Sequence, residues 1–117
     1  MLTPQDFIDA GYRKFDQVKH IREHAAYGLQ KLISDSVGKR YHITVYVYDN
    51  REINSRFGAN IPDFSFSPDC QFRDGKENEM FVNVELLLHK DNTIKDIEQK
   101  FDTIWKALGC IYYEKFH

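Results

Sequence analysis

The clearest catalytic-looking spacing in the chain belongs to two histidines and a glutamate. His20-Ile21-Arg22-Glu23-His24 fits the pattern H-x-x-E-H. On a helix the two imidazoles would stand one turn apart and reach a single zinc ion, with Glu23 as the base. A catalytic zinc needs a third protein ligand, and no other side chain has diagnostic spacing to supply it. The plainer account is a solvated helix face, because both histidines lie opposite the apolar stripe Val18, Ile21, Ala25, Leu29 and Leu32. A small metal-dependent hydrolase using this segment is therefore an alternative rather than the main reading. No cofactor is expected and no metal ligand is assigned.

Other catalytic arrangements have less support. Ser, His and Asp all occur, but nothing in their spacing assembles a triad. Cys70 and Cys110 are far apart and read as reduced, packed thiols. Lys39-Arg40, Arg51, Glu52 and Arg56 gather charge around one end of a predicted strand. Such a group can grip phosphate or an acidic partner, or simply be solvated. Phe57-Gly58-Ala59 offers one glycine in a turn, not a phosphate loop.

Contact chemistry is better represented. Alternation over Tyr41–Asp49 sends Ile43, Val45 and Val47 one way and His42, Thr44, Tyr46 and Tyr48 the other. Tyr46 and Tyr48 would then lie on a polar outer sheet face with Ser65, Ser67, Gln71, Asn83 and Glu85. Tyrosines suit partner contact because they bury area at low entropy cost and keep a hydrogen-bonding tip. Their alternative role is cross-strand packing, or they lie under the N-terminal helix. Phe7, Ile8, Tyr12 and Phe15 form a second apolar strip. It either marks a dimer or partner contact or folds back on the chain's own core.

These side chains need elements to position them. Thr3-Pro4-Gln5-Asp6 is a helix start, with Thr3 as cap and Pro4 in the first turn. The stripe through Phe7 and Phe15 and the stripe through Val18 and Leu32 are offset by roughly 90° at 3.6 residues per turn. This offset predicts a helix kinked or broken near 15–18, with Asp16 as a second cap and a run to about Ser36, ended by Gly38. A long connection follows over Asn50–Asp63, punctuated by Gly58, Asn60 and Pro62. Phe64–Phe72 alternates as a strand that Pro68 assigns to an edge or a bulge. Met80–His89 is a third strand, with Met80, Val82, Val84, Leu86 and Leu88 inward. Asn92 or Thr93 caps a helix with the stripe Ile94, Ile97, Phe101, Ile104, Trp105 and Leu108. Gly109 ends that helix in this reading, and Cys110–Phe116 is a final strand. The expected fold is a single α+β domain over 1–117. Its N-terminal helix is followed by β-β-β-α-β, with helices on one face of a four-stranded, mainly antiparallel sheet.

Composition agrees with a packed domain. The 117 residues are 42% hydrophobic and 15% aromatic, enough for a core without staples. Net charge is −2, from 16 basic and 18 acidic residues. No basic excess favours duplex DNA, and the neighbours of Tyr46 and Tyr48 are neutral or acidic, so nucleic acid is not the expected partner. A single-stranded nucleic-acid binder remains a further alternative. No signal peptide or membrane-length apolar run is read, which gives an expectation of a cytoplasmic protein with no membrane partner.

Tyr27-Gly28-Leu29-Gln30-Lys31 through Tyr41-His42-Ile43-Thr44-Val45-Tyr46-Val47-Tyr48, together with Trp105-Lys106-Ala107-Leu108-Gly109-Cys110, resembles small uncharacterised proteins encoded by phages and prophages. The resemblance implies an accessory factor or inhibitor acting on a host protein, and transfers no catalytic residue. The function read from the sequence is a non-enzymatic protein-interaction module. Its partner-binding residues are Tyr46, Tyr48, Tyr12, Phe7 and Phe15, and a homodimer is one form it would take.

Overall fold

The computed structural model describes residues 1–16, 22–34, 40–73 and 81–116. Its elements are α1 (Pro4–Asp9), β1 (Arg13–Phe15), β2 (Tyr27–Ser34), β3 (Arg40–Asp49), α2 (Arg51–Phe57), β4 (Phe64–Arg73), β5 (Phe81–Glu85) and α3 (Ile94–Phe116). The class is α+β. The sheet has five strands, in the order β1-β2-β3-β4-β5, and every neighbouring pair is antiparallel.

The first turn of α1 forms as its residues dictate. The Thr3 hydroxyl accepts from the Asp6 amide, and the Asp6 carboxylate accepts from the Thr3 amide. The helix then stops much earlier than its apolar pattern suggests. Gly11 adopts φ +99°, a conformation that an L side chain resists, and the chain turns there into β1. The expected break near 15–18 is therefore corrected to Ala10–Gly11, and Phe15 belongs to a strand.

The predicted helix from Val18 to Ser36 is also corrected, because Tyr27–Ser34 is strand β2. Leu29 opposes Val45 and Tyr27 opposes Val47, so β2 supplies the ladder that β3 needs on that side. The same residues satisfy both periodicities, and pairing with a strongly β-forming neighbour outweighs a local helical stripe. The residues that Asp16 would cap, 17–21, fall outside the described residues. The expected stop at Gly38 falls outside the described residues. With this strand and β1 gained, and the predicted C-terminal strand lost to helix, the expected four-stranded sheet becomes a five-stranded one.

At the other end, Cys110–Phe116 is not a strand. Helix α3 continues through Gly109 to Phe116. A glycine inside a helix costs only about 1 kcal/mol, and the 3–4 spacing carries on through Leu108, Ile111 and Tyr112. Thr93 and Asp96 make the expected box at its start. Strand β5 is shorter than predicted, ending at Glu85.

Pro68 shows how β4 escapes its expected edge position. Strand β4 lies between β3 and β5, with Pro68 opposite Val45. The Pro68 carbonyl accepts from the Leu86 amide at 2.9 Å, just past the end of β5. A strand residue's nitrogen and carbonyl point to the same side, so the missing donor falls where β5 has ended.

One sheet face carries the main core. Leu29, Tyr41, Ile43, Val45, Val47 and Cys70 pack there against Phe7 of α1 and Ile97 and Phe101 of α3. Helices α1 and α3 thus cover one face, while α2 buries none of its residues. The opposite face carries a small second cluster of Ala25 and Tyr46, with Phe15 and Tyr48 against it.

Candidate functional site

The five aromatic residues assigned to partner binding divide between the two faces. Phe7 and Tyr12 are fully packed in the main core. Their rings meet edge to face at 5.3 Å, and Phe7 also lies 5.0 Å from the Phe66 ring. The Tyr12 hydroxyl donates to Glu98 Oε1 at 3.1 Å, and Lys31 Nζ reaches the same oxygen at 2.9 Å. Burial, then the Glu98 charge, pushes the Tyr12 phenol far above its ordinary range. This arrangement pins α3 to β2. Phe15, Tyr46 and Tyr48 come together on the other face. Tyr46 is 6% exposed and Tyr48 is half-buried.

Several charged groups surround Tyr46. Arg22 lies 3.2 Å from Asp69 and 3.3 Å from Glu85, and its guanidinium sits 5.1 Å from the Tyr46 ring centroid. The Ser67 hydroxyl donates to Glu85 Oε1 at 2.7 Å and holds that carboxyl below its usual range, with Arg22 adding to the effect. Burial, then the Asp69 charge, raises the Tyr46 phenol.

The catalytic-looking segment is not brought together as a helix. His20 lies outside the described residues. Glu23 and His24 are exposed in a turn. Among the described residues, no three His, Cys, Asp or Glu side chains gather into a metal-holding group. Burial, then the Asp69 charge, pushes the Cys70 thiol up to about 12, which suits a packing role rather than a nucleophile.

A further surface comes from the long connection between β3 and β4. Its helix α2 buries none of its residues. Ile53, Phe57 and Ile61 are 45%, 73% and 44% exposed. Yet the segment is tightly braced by polar side chains. Asn50 Nδ2 donates to the Pro62 carbonyl at 3.0 Å and to Ser65 Oγ at 2.8 Å. Asn54 Nδ2 donates to the Ile61 carbonyl at 2.9 Å and to Asp63 Oδ1 at 3.2 Å, while its own carbonyl oxygen accepts from the Ile61 amide. Arg51 forks onto Asp49 at 3.0 and 2.7 Å, over the Phe64 ring. Gly58 ends α2 in the left-handed region at φ +63°. The charged end residues thus divide into Arg51, committed to Asp49, and Arg56, 3.9 Å from Glu52.

Sequence reasoning singled out Asn50–Asp63 for its length but assigned it no site residue. Ile53 and Phe57, four apart, were the available signal for a shared helix face. Beside the tip, a cleft of about 230 Å³ is lined by Met1, Leu2, Pro62, Phe64 and Leu88 among others. Its Ser65 hydroxyl is already engaged by Asn50. Among the described residues no helix is long and apolar enough to cross a membrane. Comparison with protein-family models, curated proteins and solved structures gives no match.

Proposed function

We propose that the chain is a non-enzymatic protein-interaction module that docks a partner through the braced tip between β3 and β4. The supporting observation is the mismatch between order and burial in α2. Polar side chains fix the tip, while Ile53, Phe57 and Ile61 contribute nothing to the core. A rigid, exposed apolar group bound by short polar braces loses little entropy on docking. The phage-protein resemblance supports an accessory or inhibitory role in which the partner is a host protein.

The test is quantitative affinity capture from the source cells with wild type, Ile53→Ser/Phe57→Ser and Tyr46→Ala/Tyr48→Ala. Loss of one specific partner in the tip variant supports tip docking. Capture undiminished by the tip substitutions rejects it, and loss only in the tyrosine variant moves the contact to the sheet.

A further inference from the structure

The outer sheet face is already occupied by a piece of the chain itself. Residues Arg22–Ala26 cross it as a strap with two side-chain points of attachment, and the Ala26 amide ties its end to the sheet by donating to the Val47 carbonyl at 2.8 Å. Arg22 is half-buried among Tyr46, Asp69 and Glu85, and Ala25, three residues later, is buried against Tyr46. Glu23, His24 and Ala26 are exposed.

The groups beneath the strap are positioned by the sheet and not by the strap. Tyr46, Asp69 and Glu85 come from β3, β4 and β5. Asp69 opposes Glu85 in the ladder, and Ser67 opposes Tyr46. The Ser67 hydroxyl fixes Glu85 Oε1, and the other carboxylate oxygen, Oε2, faces Arg22. An aromatic ring beside two carboxylates on separate strands suits a flat, forked cation. A guanidinium can stack on the ring while its N–H groups reach both acids; an ammonium cannot do both as well. Burial, only partly offset by Arg22, holds the Asp69 carboxyl above its ordinary range. Any guanidinium that reaches the same two carboxylates and the same ring can make the contacts that Arg22 makes.

We propose that this face is a binding site for a peptide segment carrying an arginine followed three positions later by a small residue, and that Arg22–Ala26 fills it in the free protein as an internal stand-in. An incoming arginine competes with Arg22, so strap occupancy lowers the apparent affinity by the closed fraction. The site shares no residue with the tip, and its failure leaves the tip reading untouched.

A fluorescent, end-capped peptide of sequence Arg-Glu-His-Ala-Ala, titrated by anisotropy, tests the site. The Arg22→Gln variant should bind about tenfold or more tightly than wild type. Replacing the peptide arginine by citrulline, or adding Glu85→Gln to the variant, should remove the gain. Equal affinity for wild type and variant, or for arginine and citrulline peptides, overturns the proposal. Should the variant fail to fold, wild type carrying 3-fluorotyrosine at position 46 decides the matter. Excess arginine peptide should shift that fluorine resonance and the citrulline peptide should not; identical responses, or no arginine-specific shift, overturn it.

Discussion

Individual side chains on the two faces have opposite chemical fates. Cys70 is sealed in the core with its thiol pushed up to about 12. It should resist a thiol-modifying reagent in native protein at pH 8 and react on unfolding, as read by mass spectrometry of the Cys70 peptide. The carboxyls divide by sign. Asp49, through hydrogen bonds from Arg51, Glu85, through Ser67, and Asp96, through Thr93, are held below their ordinary values. Each favours the folded state at neutral pH, and that benefit is lost as pH falls through its folded value. Asp69 is held above its ordinary 3.8, so it binds its proton first in the folded state and opposes the acid loss. Urea midpoints should therefore fall between pH 6 and pH 3, and fall more steeply in Asp69→Asn. An identical slope in that variant would contradict the assigned sign. Tyr12→Phe removes the hydroxyl bond to Glu98 but leaves Lys31 on the same carboxylate. It should cost about 1 kcal/mol of unfolding free energy.

Elements were legible where one local signal acted alone. Thr3 and Asp6, and later Thr93 and Asp96, announced their helix starts, and the alternation of Ile43, Val45 and Val47 announced the central strand. Tyr27–Ser34 was misread because Leu29 and Leu32 fit a helical stripe as well as Leu29 and Ile33 fit a strand. Only pairing with β3, a contact between residues far apart in the chain, separates the two. Gly109 misled in the other direction, since glycine marks a helix end without enforcing one. At Gly11 the backbone conformation does enforce the stop. Gly11→Ala should lose about 1 kcal/mol of stability through the positive φ alone, since the added Cβ would meet only Lys31 Cε at an ordinary 3.6 Å. The tip was legible as a long connection but not as a site. Its exposure depends on where β3 and β4 end, and its order on Asn50 and Asn54 reaching across the loop. Asn54→Ala should increase proteolysis within Arg51–Phe57 while leaving sheet amide protection unchanged.

At the scale of the whole molecule, a single sheet separates two kinds of apolar residue. Phe7, Tyr12, Ile97 and Phe101 hold the helices on one face, and their burial supplies the fold. The other face and the tip carry apolar groups that the core does not use, one set beneath the Arg22 strap and one in water. On this division the tip can be made polar without disturbing the fold. Urea unfolding of Ile53→Ser/Phe57→Ser is the direct test: the unfolding free energy should stay within about 0.5 kcal/mol of wild type, as for surface substitutions. A loss of about 3 kcal/mol or more, the scale of emptying a core position, would place those side chains in the fold and contradict the tip as a docking surface.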